Sequence, residues 1–314
     1  MPSFFLVGAP KTGTTSLYHS LDQHPAVFMS PIKEPCFFAP EVAGLSPRAR
    51  ELYEADAAPL QAFLDGPKRV KRPHGIVLDW DQYLKLFENV GDETAVGEAS
   101  VSYLGSIGAP RAIRARIPDA RIVMMFRDPV DRLFSHFTAA RAAGATNLSF
   151  VPWVLEQGAA LRESPPSGPV WVGRYHTHLR RYLDSFPERQ VRVFLYDDYV
   201  RAPAAVLRDL LKFIGVDPDV PVDTQIRRNV TLVPRWPVLY TGAARRVVRV
   251  IRSVVTERFA ARARRCWRTE PRTRPAADER ARLVAVHEQG IRALETLIHR
   301  DLSSWLDPRR PAGA

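Results

Sequence analysis

The chain lacks the features that mark secreted and membrane-spanning proteins. Cys36 and Cys266 are its only cysteines among 314 residues, and they are too far apart to suggest the disulfide framework of a small secreted domain. No apolar stretch approaches the roughly 18 residues of a membrane-spanning helix, and no basic leader precedes the first apolar run. These absences predict a cytoplasmic protein with no signal peptide and no membrane span.

Metal-ligand motifs are also missing. The sequence contains no HExxH, no paired-cysteine spacing and no EF-hand loop, so we expect no metal in its chemistry. Its 314 residues are enough to bury one good core. We predict a single domain over residues 1–314, with a basic helical C-terminal region over about 235–314.

Positive charge is concentrated in one segment. The chain has 45 Lys and Arg against 34 Asp and Glu, and residues 235–274 contain twelve arginines against Glu257 and Glu270. Within this segment, residues 245–255 place apolar side chains on one helical face and arginines opposite. Such a helix suits a polyanionic acceptor or a peripheral contact of residues 245–268 with an anionic membrane, but a helix packed on the core has the same pattern. No nucleic-acid partner is expected.

An anion-binding turn lies at the start of the chain. Phe4–Gly8 is an apolar, strand-like run, and a helical pattern follows from Leu17. At such a junction the first backbone N–H groups of the helix lack internal partners, and the helix dipole favours negative charge. Lys11 adds a full positive charge beside several hydroxyl donors. The stretch therefore predicts a loop that binds phosphate or sulfate.

The residue order in this loop differs from that of loops that bind ATP with magnesium. Those loops read GxxxxGK[ST], with the lysine directly after the second glycine and a hydroxyl next to it for the metal. Here Lys11 precedes Gly13. A P-loop kinase using ATP and magnesium is therefore disfavoured. It stays as one alternative, beside a non-catalytic basic protein that binds a polyanion or a membrane.

The pattern GxxKTGTTSL resembles the 5′-phosphosulfate loop of sulfotransferases that use 3′-phosphoadenosine 5′-phosphosulfate (PAPS). The resemblance implies that Lys11 stabilises the bridging oxygen as 3′-phosphoadenosine 5′-phosphate (PAP) departs. It also implies that backbone N–H groups and hydroxyls of the loop hold the 5′-phosphate, from the set Thr12, Gly13, Thr14, Thr15 and Ser16.

A second segment, Arg121 to Phe137, resembles the 3′-phosphate site of the same family. An apolar run ends at Arg127, and a helix carrying Ser135 follows. Alone, an arginine at this place is more often a structural salt-bridge residue. The resemblance implies instead that Arg127 and Ser135 bind the 3′-phosphate, a role that suits the planar, bidentate guanidinium.

A third segment, Ser30 to Phe38, resembles the heparan sulfate and Golgi carbohydrate group of sulfotransferases. That group has a glutamate shortly before a Phe-Phe pair, where Glu34 stands here, and the glutamate serves as general base. A carboxylate within hydrogen-bond reach of an acceptor hydroxyl can take its proton as the oxygen attacks sulfur. An exposed Lys-Glu pair in a loop is the plainer alternative. His74 is the rival base, because sulfotransferases of phenols and steroids use a histidine.

Two further positions are compared with the family. A lysine often follows the glutamate in the segment that resembles Gly97 to Leu104, but here Ala99 follows Glu98, and Lys33 is a candidate substitute. A late basic loop completes the family's cofactor site, and Arg235 is the matching candidate for a 3′-phosphate contact.

The spacing of apolar runs predicts a parallel sheet, because each interval is long enough for a helical crossover. The predicted strands are Phe4 to Val7, Ala95 to Glu98, Arg121 to Phe126 and Val191 to Tyr196. We also expect a loop over Ser164 to Gly173 and a final helix over Ala281 to Leu297. With the resemblance, the expected fold is the P-loop-type three-layer α/β fold, a central parallel sheet flanked by helices. The expected function is a PAPS-dependent O-sulfotransferase acting on a carbohydrate, glycolipid or secondary-metabolite hydroxyl.

Overall fold

The computed structural model describes residues 1–41, 60–67, 71–72, 75–142, 145–162, 167–224 and 275–310. Three predicted features lie outside these residues: the Arg235 contact, the basic helix within 245–268, and His74. The prediction of a single domain over the whole chain stays a prediction for the same reason.

A five-stranded parallel sheet forms the centre of the fold. Its strands are β1 (Phe4–Gly8), β2 (Val27–Met29), β3 (Ala95–Ala99), β4 (Arg121–Phe126) and β5 (Val191–Leu195), in the spatial order β2-β3-β1-β4-β5. β1 pairs with β3 on one side and with β4 on the other. The four predicted strands and the parallel sheet are confirmed. The sequence prediction did not include β2, a three-residue strand.

Helices and short turns connect the strands. Helices whose two ends are described are labelled in chain order: α1 (Thr14–Leu21), α2 (Trp80–Leu84), α3 (Ala109–Arg116), α4 (Pro129–Ala142), α5 (Phe150–Ala159), α6 (Gly168–Val172), α7 (Tyr175–Leu183), α8 (Tyr196–Arg201), α9 (Pro203–Ile214), α10 (Ala277–Ile298) and α11 (Ser303–Leu306). No helix in the described ranges combines the length and the apolar content needed to cross a membrane.

The structure confirms the predicted final helix and corrects one predicted loop. The final helix is confirmed and extends beyond the expected bounds at both ends, from Ala277 to Ile298. The loop expected over Ser164 to Gly173 is wrong in its second half, where α6 forms. Gly168 has a φ of 85°, and the proline that follows has a fixed φ that suits the first turn of a helix. Residues that suggested a loop therefore start a helix.

Alternate residues of each strand pack against opposite helical layers. Phe4 and Leu6 of β1 face a cluster with α1 and α9, whereas Phe5 and Val7 face a cluster that includes α7 and α10. Burial on both faces explains why these strands are continuously apolar. The result is the three-layer α/β fold expected from the sequence, with the carboxyl ends of β1, β3 and β4 side by side at one edge.

Gly97 lies where three strands crowd together. A Cβ at this position would be 2.3 Å from the ring of Phe4 and 2.6 Å from the sulfur of Met29. We expect Gly97→Ala to lower the free energy of unfolding by about 1–3 kcal/mol, the usual cost of overpacking a core. Urea titration would measure this. Gly158→Ala is the control, since no described atom lies within 4 Å of a Cβ there; equal stability of the two variants would contradict the prediction.

Candidate active site

The loop after β1 has the conformation of an anion-binding turn. Lys11 and Gly13 both adopt positive φ, 70° and 84°, which turns the chain sharply between strand and helix. The Thr12 hydroxyl is fully buried and donates a 2.6 Å hydrogen bond to the Ala9 carbonyl. Thr12 therefore fixes the loop through its side chain, and its backbone N–H is the group that remains for a ligand contact.

The N-terminus of α1 faces this turn. Gly13 occupies the position before the helix and has no side chain to cap it, and no acidic residue stands in the first turn. Thr14 is buried, whereas Thr15 and Ser16 are half-buried. The first backbone N–H groups and the dipole of α1 thus produce positive potential beside Lys11. These donors fit a phosphate or sulfate group.

Arg127 reaches the loop from the end of β4. Its guanidinium donates a 3.4 Å hydrogen bond to the Lys11 carbonyl and lies over the ring of Tyr196 at 4.6 Å from the ring centroid. The arginine is only 7% exposed. The structure therefore brings Arg127 and the Lys11 loop together, as the predicted two-phosphate site requires. Tyr196, which holds the guanidinium plane, did not figure among the predicted site residues.

Helix α4 begins directly after Arg127. Asp128 accepts hydrogen bonds from the backbone N–H groups of Val130 and Asp131, at 2.8 and 3.2 Å, and so caps the helix. Ser135 lies in the second turn and is 5% exposed. The next residue, His136, has its pKa lowered to about 3, mainly by burial and then by the charges of Arg132 and Lys11. His136 is consequently neutral near pH 7.

Glu34 lies across the carboxyl end of β3. Its backbone N–H donates a 2.8 Å hydrogen bond to the Ala99 carbonyl, and its φ is 67°. Lys33 places its ammonium 2.6 Å from the Glu34 carboxylate. The Lys33 side chain is 8% exposed and that of Glu34 31%, so the base candidate faces outward while its lysine partner is buried.

The segment after β3 connects Glu34 to the phosphate loop. A Cβ built on Gly8 would meet Leu104 at 2.8 Å and the carbonyl of Val101 at 3.3 Å, so the turn after β3 packs directly on the end of β1. Glu34 and the Lys11 loop therefore lie at the same sheet edge, each fixed to one of two neighbouring strands.

Aromatic side chains form a wall next to Glu34. Phe37 stacks on Tyr83 with ring centroids 4.7 Å apart, and Phe38 packs edge-on against Tyr103 at 5.8 Å. Between them and Glu34 lies Cys36, whose pKa is raised to about 12, chiefly by burial. Cys36 is therefore a packing residue with an unreactive thiol.

Glu98 is a buried carboxyl group near Glu34, and the sequence prediction gave it no role in the site. It is fully buried in β3, and its Oε2 accepts hydrogen bonds from the hydroxyls of Tyr83 and Tyr103, at 3.0 and 2.8 Å. Burial raises its pKa to about 7; hydrogen bonds, first that from Ser100, oppose this rise, and the charge of Glu34 adds to it. The sequence feature that could have indicated this buried carboxyl group is a single acidic residue in a strand of otherwise small and apolar residues.

Glu98 should make stability depend on pH. The folded pKa of about 7 lies above the ordinary 4.5, so the folded protein keeps this proton in a range where the unfolded chain has lost it. Its contribution to the free energy of unfolding therefore falls as pH rises from 4.5 to 7, by at most about 3 kcal/mol. Glu98→Gln keeps the acceptor oxygen and removes the titration.

We expect Glu98→Gln to lose that part of the pH dependence. Urea unfolding at pH 5 and pH 8 would measure it, because subtracting wild type from variant at each pH cancels the titration of all other groups. The variant should gain stability relative to wild type at the higher pH. An identical pH profile for the two proteins would contradict the assignment to Glu98.

In the parts of the chain that the structure describes, no group of three or more His, Cys, Asp or Glu side chains is arranged to hold a metal ion. The donors at this edge are the Lys11 loop, the first turn of α1 and Arg127, and Glu34 is held by the end of the adjacent strand β3.

Comparisons with known proteins agree with this geometry. Residues 2–220 match the sulfotransferase family. Bifunctional heparan sulfate N-deacetylase/N-sulfotransferase 2 of Mus musculus is 29% identical over 225 residues, which are 69% of this chain and 22% of that protein. The corresponding enzyme 3 of Homo sapiens is 28% identical over 225 residues, 69% of this chain and 23% of that protein. The chain thus spans about a fifth of the length of these curated relatives.

A solved structure extends the comparison to nearly the whole chain. The crystal structure of a sulfotransferase from Alicyclobacillus acidocaldarius is 30% identical, has a TM-score of 0.68, and covers 97% of this chain and 98% of its own. The family match includes the Lys11 loop, Glu34 and Arg127. The chain therefore belongs to the sulfotransferase family.

Proposed function

We propose that this chain is an enzyme that transfers a sulfuryl group, with PAPS as donor and PAP as product. The observation that carries the proposal is the hydrogen bond between Arg127 and the Lys11 carbonyl, which places two cationic side chains around one loop. A donor with phosphates at both the 3′ and 5′ positions needs two such anion sites, whereas a plain adenine nucleotide needs one. The donor set fits: the amides of α1 and Lys11 for the 5′ end, Arg127 and Ser135 for the 3′-phosphate.

Lys11 and the loop amides act where charge develops. Sulfuryl transfer resembles phosphoryl transfer in placing the attacking and leaving oxygens roughly in line, so a protein contributes mainly by positioning and by neutralising charge. Lys11 would neutralise the bridging oxygen as the bond to sulfur breaks. The amides of Gly13 to Ser16, with the hydroxyls of Thr14 and Thr15, would hold the 5′-phosphate.

Glu34 is the proposed general base. Its carboxylate is partly exposed at the edge that carries the phosphate loop, so an acceptor can approach it from solvent. The buried ammonium of Lys33, 2.6 Å away, orients the carboxylate. In this proposal Lys33 takes the place beside the base that the absent lysine at Ala99 leaves open.

The proposed acceptor group is a hydroxyl, first that of a carbohydrate and then that of a glycolipid or secondary metabolite. A carbohydrate amine is the second candidate, because the relatives named above are N-sulfotransferases of heparan sulfate. Both acceptors lose a proton as they attack sulfur, so both need a base such as Glu34. A cytoplasmic location and a peripheral membrane contact through residues 245–268 remain proposals.

Calorimetric titration of the purified protein with PAP, and separately with ADP plus magnesium, tests the donor. We expect PAP to bind without metal and the magnesium nucleotide to bind weakly. A preference for ADP with magnesium would overturn the PAPS proposal in favour of kinase-like chemistry. Binding of neither would leave the loop without a nucleotide and would refute the proposed donor.

A further inference from the structure

Arg127 stacks on Tyr196 at the proposed 3′-phosphate site, and an acidic residue follows each of the two in the chain. Arg127 stands at the end of β4 and Asp128 comes next; Tyr196 begins α8 at the end of β5 and Asp197 comes next. The guanidinium of Arg127 lies 4.6 Å from the ring centroid of Tyr196. A shift of either acidic residue therefore moves its neighbour in the stack.

Arg310, far away in sequence, connects these two acidic residues. Its two terminal nitrogens lie 3.2 Å from the Asp128 carboxylate and 2.6 Å from the Asp197 carboxylate. The Arg310 side chain is 7% exposed and Asp128 is fully buried, so solvent does little to screen the contact with Asp128. One planar guanidinium thus joins the two junctions, the segment that follows β4 at Arg127–Asp128 and the segment that follows β5 at Tyr196–Asp197.

Neighbouring contacts hold the two ends of this bridge. Arg280 of α10 contacts Asp128 at 2.5 Å and Asp131 at 3.1 Å, and both partners are largely buried. The indole N–H of Trp305 donates a 3.0 Å hydrogen bond to Asp197. Arg310 is the one of these three side chains that contacts both Asp128 and Asp197. Because β4 and β5 pair up to Phe126 and Leu195, Arg310 links the two segments just beyond their last backbone pairing.

We propose that Arg310 is a positioning residue for the 3′-phosphate site, because by bridging Asp128 and Asp197 it holds the Arg127 guanidinium against Tyr196. The inference rests on the proposed PAPS donor. Removing the bridge leaves two buried or half-buried carboxylates with one partner fewer, and their junctions move apart to regain solvation. Arg127 then loses its fixed orientation, and a bidentate contact is sensitive to such small displacements.

The test compares two ligands that differ in the 3′-phosphate alone. We expect Arg310→Gln to weaken PAP by about tenfold while adenosine 5′-phosphate changes by less than about twofold, both measured by calorimetry. A merely structural role would weaken both ligands together. Equal losses for the two ligands, or unchanged PAP affinity, would overturn the proposal.

Arg300→Gln is the matched control. Arg300 belongs to the same C-terminal part of the chain and contacts the adjacent Asp198 at 2.8 Å, but its side chain is 53% exposed. The ratio of the two affinities should stay at the wild-type value in this variant. A wild-type protein that does not distinguish PAP from adenosine 5′-phosphate would refute the PAPS donor itself, a different result from a failure of Arg310.

Arg310→Lys provides a milder perturbation should Arg310→Gln not fold. It keeps the positive charge but replaces the guanidinium, whose two nitrogens contact Asp128 and Asp197, by a single ammonium. We expect a selective loss of PAP affinity of about threefold. A folded Arg310→Lys protein with an unchanged affinity ratio would count against the positioning role of Arg310.

Discussion

Glu34→Gln is expected to lower kcat by about a hundredfold or more while PAP affinity stays near the wild-type value. Glutamine matches glutamate in shape and can still accept a hydrogen bond from Lys33, but it cannot take the acceptor's proton; general-base catalysis contributes about 10²- to 10⁴-fold. Both residues meet the same backbone demand at a φ of 67°, so the substitution adds little strain. The measurement is turnover with an acceptor that the wild-type enzyme sulfates, alongside titration with PAP.

Two further variants test whether the position of the carboxylate and its lysine partner affect kcat. Glu34→Asp keeps the carboxylate but shortens its reach, and its kcat should fall between those of wild type and Glu34→Gln. Lys33→Met removes the 2.6 Å partner and should lower kcat by a smaller factor, of about tenfold, without changing PAP affinity. Full turnover by Glu34→Gln would refute the assignment of Glu34 as general base.

Arg127→Ala is expected to weaken PAP by about 10- to 100-fold and adenosine 5′-phosphate by less than about twofold. The guanidinium can make charge-assisted hydrogen bonds to a 3′-phosphate, with a net loss of about 1.5–3 kcal/mol for one such bond, and a 3′-hydroxyl offers no comparable partner. The arginine is 7% exposed, so water weakens these bonds little. Calorimetry with both ligands gives the comparison directly.

Arg116→Ala is a suitable control for Arg127→Ala. Arg116 also lies over an aromatic ring, 4.4 Å from the centroid of Trp80. That ring belongs to the aromatic group around Phe37, not to the pair formed by Arg127 and Tyr196. Its removal should leave the affinity ratio of the two nucleotides unchanged. If Arg127→Ala weakened both nucleotides equally, Arg127 would be a structural residue and the 3′-phosphate site would have to lie elsewhere.

The sequence alone was sufficient for the parts of the site that lie close together along the chain. A strand, a turn with Lys11 and Gly13, and a helix form one local unit, so their pattern predicts a phosphate loop. Arg127 was expected at the carboxyl edge of the same sheet, and its guanidinium lies 3.4 Å from the Lys11 carbonyl there. That Arg127 and Ser135 bind a 3′-phosphate stays a prediction. Glu34 was found by family resemblance, and its catalytic role stays a prediction.

The charged network around Arg127 was not predictable in the same way. The Arg310 contact with Asp128 joins residues 182 positions apart, and the Trp305 contact with Asp197 joins residues 108 apart. Neither local sequence pattern specifies such a partner, because the contacts arise only when the C-terminal segment packs beside the ends of β4 and β5. β2 was missed for a different reason: three residues are too few to show a strand period.

The position of β1 in the sheet affects how the protein is made. This strand, which carries the phosphate loop, precedes both of its sheet partners in the chain: Ser3 hydrogen-bonds to Val96, 93 residues later, and Phe4 pairs with Arg121 on the other side. Both edges of an apolar strand therefore stay open until these later strands have left the ribosome, a state prone to wrong pairing and slow to resolve. The loop after β1 is thus translated well before the two strands that support it.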